Sequence, residues 1–250
     1  MIRIFGFLMI FILCMPAYAE DPDRILFETK HPKDAVSGRD YTILINKIQL
    51  RDQSVSFNHL RYLYPKMAFY EPETDLLVPE LFKKAEIIKK LDPMDDKKAY
   101  EEALGLYNDF IMVHMAHTDV VWAAYMLAND NKALGDPALY RWVYKGLKAS
   151  LMSSGDGKTP ENAYRIITFG EEQIILDTLR SPSFKVERVT DGSLRYHMHT
   201  VYDPETDKVS TLFTNVTIPL PIRAYRGRNA INIFDFTSIP DQSLKAPDLP

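Results

Sequence analysis

Apolar residues recur at helical spacing from Asp40 to the middle of the chain. Tyr41, Leu44, Ile45 and Ile48 define one face of a first helix, and Phe57, Leu60, Leu63 and Tyr64 define a shorter one that Pro65 closes. Leu77, Leu81, Ala85 and Ile88 then pattern a helix over 75–91, and Tyr100, Ala103, Leu104, Tyr107, Ile111 and Met115 one over 95–115. Thr118 is placed to cap a helix reaching Asn129, with Val121, Trp122, Tyr125 and Met126 inside it. Asp136-Pro137 supplies a cap and an N1 proline for a helix running to Met152. Short loops between these helices favour antiparallel neighbours, and Ala103, Ala123, Ala124 and Gly146 beside aromatics allow close crossings.

The period changes at Ser153. Ser153-Ser154-Gly155-Asp156-Gly157-Lys158-Thr159-Pro160 has the composition of a loop. A β-rich stretch over 163–169, a short helix over 171–179 and strands over 184–189, 193–202 and 209–218 follow. Asp191-Gly192 is read as a hairpin turn, and 203–207 as a second one. The fold class expected is α+β: an antiparallel, tetratricopeptide-like helical bundle packed with a C-terminal antiparallel β-meander. The boundaries read as signal peptide 1–19, exposed lead-in 20–39, helical half 40–153, sheet half 154–236 and a disordered tail over 237–250.

The first segment carries Arg3, a short apolar run from Ile4 to Cys14, and then Pro16 and Ala17-Tyr18-Ala19. That order fits an export signal cut after Ala19, giving a periplasmic or secreted protein, and the run is too short for a comfortable membrane span of ~20 residues. Cys14, the single cysteine, would leave with the signal, so the mature chain would have no disulfide and no thiol nucleophile. A net charge of −4 argues against nucleic acid as a partner, which needs a basic footprint.

The run Tyr140 to Leu147 leads into Ser153-Ser154-Gly155-Asp156-Gly157-Lys158-Thr159-Pro160 and Ala163-Tyr164. Glu171-Glu172 and the strand meander follow. This arrangement resembles the bacterial family called domain of unknown function 4919, over roughly residues 40–222. The resemblance implies an exported protein with a tetratricopeptide-like helical half followed by a small sheet. It implies no activity, and the arginine-rich stretch after Pro221 departs from the family pattern.

Gly155-Asp156-Gly157-Lys158-Thr159 lacks the first glycine of a phosphate loop, since Met152 stands there, and a helix rather than a strand precedes it. The simpler reading is a helix stop in which Gly155 and Gly157 take positive φ and Asp156 bonds loop amides. His197 and His199, two apart on a strand, share a face and could hold zinc with a third ligand; Glu171 and Glu172 are the nearest carboxylates in sequence. The pattern favours a wet polar face instead, with Leu194, Tyr196 and Met198 turned to the core. His114 and His117, three apart near a helix end, lack a partner motif. Arg223, Arg226 and Arg228 form a basic stretch that could meet an anionic partner.

No nucleophile elbow or cofactor motif is present in the sequence. The expected function is therefore a non-catalytic envelope protein that binds a peptide or protein partner through its helical half. Trp122, Tyr125 and Trp142, the Gly155-Asp156-Gly157-Lys158 loop and the three arginines are the candidate contacts. The alternative is a metal-assisted hydrolase using His197, His199 and a carboxylate.

Overall fold

Side-chain caps start three of the described α-helices, among them the one that the sequence opens with Asp136-Pro137. In the computed structural model, which describes residues 35–66 and 76–218, the Ser56 hydroxyl accepts from the His59 amide, Asp96 from Ala99 and Asp136 from Ala138. The expected signal segment 1–19, most of the expected lead-in, Arg223, Arg226, Arg228 and the expected tail over 237–250 lie outside the described residues. The helices are α1 (Ala35–Gln49), α2 (Phe57–Leu63), α3 (Leu77–Lys90), α4 (Lys97–Val113), α5 (Thr118–Asp130) and α6 (Pro137–Met152). Thr118 is not the cap of α5: it is the first helical residue, buried, and His117 stands at the cap without a side-chain bond. None of the described helices is long and apolar enough to cross a membrane.

The sequence after α6 forms β1 (Tyr164–Arg165), α7 (Gly170–Leu179), β2 (Ser183–Asp191), β3 (Leu194–Asp203) and β4 (Lys208–Asn215). The fold is α+β, but the sheet is mixed rather than an antiparallel meander. Its order is β1-β4-β3-β2, with β1 parallel to β4 and the other pairs antiparallel. The cause lies in the junction loop, which runs back beside β4: Phe213 N–H donates to the Gly157 carbonyl at 2.7 Å and Ile166 N–H to Asn215 at 3.3 Å. This short β1 covers an edge that β4 would otherwise expose. The β2–β3 turn is Gly192-Ser193, one residue later than expected, because Asp191 and Leu194 still pair and Gly192 takes the positive φ of 55°.

Two apolar clusters hold the chain together. One joins α1 to α6, with Ile48, Leu81, Ile88, Ile111, Val143 and Leu147 fully buried. Each such side chain contributes ~1.5–3 kcal/mol of burial. The Tyr41 hydroxyl, donating to the Val113 carbonyl at 2.9 Å, ties α1 to the end of α4. The other cluster lies between α7 and the sheet and contains Ile166, Ile175, Leu176, Val201, Leu212 and Val216.

Gly146 permits the expected close crossing: a Cβ there would meet the Phe57 ring of α2 at 2.2 Å. In the junction loop Gly157 has positive φ, 68°, as expected, but Gly155 does not. Gly155 is required by contact instead, since a Cβ would sit 2.4 Å from the Asn162 carbonyl oxygen and 2.6 Å from that of Ala163. Gly155→Ala should therefore cost ~1–3 kcal/mol by urea unfolding, because the obstacle is backbone. Gly105→Ala, on exposed α4 with nothing near the added carbon, should stabilise by ~0.5–1 kcal/mol.

Candidate metal centre

Consecutive residues on a helix point ~100° apart, so Glu171 and Glu172 at the start of α7 cannot face the same neighbours. Glu171 turns into the interior. Its carboxylate accepts from Arg61 Nη2 at 2.8 Å, from Arg61 Nε at 3.2 Å and from the Ile167 amide at 2.8 Å. Arg61, on α2, also donates to the Arg165 carbonyl at 2.8 Å, and both charged side chains are buried. This fork fastens the helical half to the segment between β1 and α7.

Glu172 turns to the sheet. His197 Nδ1 lies 2.9 Å from its Oε1 and His199 Nε2 lies 3.3 Å from the same oxygen, and the Thr214 hydroxyl donates to it as well. Register explains the convergence: His197 pairs with Thr214 across β3 and β4, so the two side chains share a face two positions from His199. Phe169, just before α7, stacks on the His197 ring at 5.9 Å between centroids. The three ligand atoms of Glu172, His197 and His199 lie within 4.8 Å of one another, and they are the one such group among the described residues.

The histidines are thus on the covered face. The expectation that Leu194, Tyr196 and Met198 would face the core and leave the imidazoles in water is overturned. Helix α7 crosses the His197–His199–Val201 side, where Val201 and Leu212 supply the apolar contacts. His199 is only 3% exposed. Tyr196 is buried on the opposite side, so the sheet is not one-sided. Access remains at the β2 margin, because Val186 and Arg188, which pair with His199 and His197, are exposed.

Both ring nitrogens of His199 have partners. The Ser183 hydroxyl lies 3.2 Å from both the Lys185 carbonyl and His199 Nδ1, and Nε2 lies 3.3 Å from Glu172 Oε1 and 3.4 Å from the Thr214 hydroxyl. Burial pushes the Glu172 carboxyl up, but hydrogen bonds and charge from His197 and His199 outweigh it and hold the group at about 2. None of the described Lys or Arg side chains pairs with Glu172.

The other sequence candidates fall elsewhere. The junction loop bonds itself: the Asp156 and Gly157 amides donate to the Asn162 carbonyl, and Asp156 accepts from the Lys158 amide at 3.0 Å and pairs weakly with its ammonium at 3.9 Å. Trp122 and Tyr125 meet on α5, and Trp142 lines a groove with Tyr125. His114 and His117 gain no third ligand. His114 Nδ1 contacts the Tyr64 hydroxyl at 2.7 Å, whereas both nitrogens of the fully buried His117 have no partner. Sequence reasoning missed Ser183, Thr214, Phe169 and Arg61. Glu172 was within its reach as one of the two nearest carboxylates, and helical geometry alone indicates that only one of the pair can face the strands. No known protein family, no curated protein and no solved structure matches this chain.

Proposed function

We propose that this protein binds a divalent transition metal of the zinc type through Glu172, His197 and His199. The observation that carries the reading is the convergence of three ligand atoms, one each from Glu172, His197 and His199, within 4.8 Å of one another. A divalent cation would satisfy both imidazoles in their neutral form and the carboxylate in its charged form. In a tetrahedral site with bonds of ~2.0–2.1 Å, ligand atoms stand ~3.3–3.4 Å apart, a spacing that small side-chain adjustments reach here. Ser183 behind His199 is the kind of outer partner that fixes a ligand's tautomer.

Three protein ligands leave one position for water, which a zinc-type ion makes acidic. The general base of the hydrolase alternative is harder to supply, because Glu172 is itself a ligand and Glu171 is held by Arg61. The reading is accordingly metal binding rather than a named hydrolysis. Zinc at ~100 times its dissociation constant should add ~2.7 kcal/mol, raising the melting temperature by ~5–10 °C. The shift should reverse with chelator and vanish in Glu172→Gln and in His197→Gln. A wild-type melting temperature indifferent to zinc and chelator would sink the proposal.

A further inference from the structure

We propose that the groove between α5 and α6 docks an acidic peptide segment carrying an apolar side chain. This proposal is independent of the metal reading. The groove encloses about 460 Å³ and is lined by Tyr125, Asn129, Pro137, Arg141, Trp142 and Lys145, among others. That is a size suited to a side chain and its flanking backbone. Its aromatic wall is preformed, since Trp142 is braced edge-on by Phe57 at 5.4 Å between centroids. Beside it Trp122 stacks between Tyr125, at 5.2 Å, and Tyr144, at 4.9 Å, yet remains 46% exposed, as does Met126 one turn on. Large apolar groups left in water beside a groove mark contact surfaces more often than chance.

Charge selects the partner. Some lysines on α3 and α4 are matched along their own helices: Lys84 with Glu80, Lys89 with Glu86 and Lys97 with Glu101. Arg141 and Lys145, which line the groove, are not. They lie one turn apart on α6, both exposed, and among the described residues neither has an ion pair or hydrogen bond. Their stems rise ~5–6 Å apart along one stripe of α6, with Trp142 beside that stripe. Two unmatched cations beside an indole complement two carboxylates beside an apolar side chain, which a short acidic peptide provides. The paired cations would steer and orient that peptide, and the aromatic wall would hold it.

Of the chain's two tryptophans, Trp142 lines this groove and Trp122 packs on its lining residue Tyr125, so tryptophan fluorescence excited apart from tyrosine reports on this surface. The full chain is titrated with a blocked twelve-residue peptide alternating Asp or Glu with Leu or Phe. A Lys-substituted version of that peptide and anionic phosphatidylglycerol vesicles are the comparison arms. A saturable blue shift with the acidic peptide only is expected. It should weaken at least about tenfold in Arg141→Glu/Lys145→Glu, whose unchanged circular dichroism confirms folding, and should weaken again when salt rises from ~0.05 to ~0.5 M. Three results would overturn the proposal: no saturable change, an equal response to the basic peptide or in the charge-reversed protein, or a response to vesicles alone.

Discussion

Glu171→Ala should lower the unfolding free energy by ~3–5 kcal/mol, the largest loss expected from any single replacement in this protein. Removing the carboxylate strands the Arg61 guanidinium, 1% exposed, in an interior that offers it the Arg165 carbonyl and, at 3.5 Å, the Ser150 hydroxyl. It also removes the Glu171 acceptor of the Ile167 amide. Breaking a buried pair costs this much because the surviving charge keeps its desolvation penalty without its partner. Arg61→Met/Glu171→Met, which removes both charges and keeps apolar volume, should recover a large part of the loss. The neighbouring Glu172→Gln should behave differently: its main effect should be on the response to zinc. Urea unfolding of the four proteins, with and without zinc, separates the two adjacent glutamates. Equal stabilities for Glu171→Ala and wild type would show that the fork between α2 and α7 contributes nothing net.

Acid should destabilise the helical half well before ordinary carboxylates protonate. Burial of His117, helped by the neighbouring His114, pushes its imidazole down from 6.5 to about 3. Tyr64 packs edge-on against the ring at 6.3 Å, and no anion among the described residues compensates a charge there. The sign follows from proton counting. Between pH 6.5 and about 3 the unfolded chain holds a proton on this residue and the folded chain does not, so stability falls as pH falls. The loss should reach ~2 kcal/mol by pH 5. Glu172 adds to it at lower pH: its folded carboxyl is depressed from 4.5 to about 2, so its stabilisation is present above 4.5 and is lost as pH falls toward 2. Chemical unfolding between pH 7 and 5 checks the histidine, and His117→Leu should flatten the slope over that range. An unchanged slope in the variant would remove His117 as the cause.

The helical half was largely legible because its signals are local. Asp136-Pro137 starts α6, and the apolar stripe Leu81, Ala85 and Ile88 is the buried face of α3. The hairpin and the strand order β2-β3-β4 were likewise readable from turn residues and alternation. What escaped depends on partners distant in sequence. Arg61 sits in a short helix and pairs with a carboxylate 110 positions away, which periodicity cannot register. A two-residue β1 is too short to carry an alternation at all. The face of β3 was misread because Leu194, Tyr196 and Met198 outweigh Val201 in a count of apolar side chains. The decision belonged to α7, which lays Ile175 and Leu176 over the histidine face. That same misreading hid the site, since a wet pair of histidines needs no partner and a covered pair does.

The central claim is the three-ligand metal site, and zinc content tests it most directly. The full chain is equilibrated with a modest excess of zinc, freed of loosely bound metal by gel filtration and assayed for metal per mole of protein. The account expects about one zinc per wild-type chain, with the metal lost in Glu172→Gln, His197→Gln and His199→Gln alike. Wild-type protein that retains no zinc, or variants that retain as much as the wild type, would contradict it.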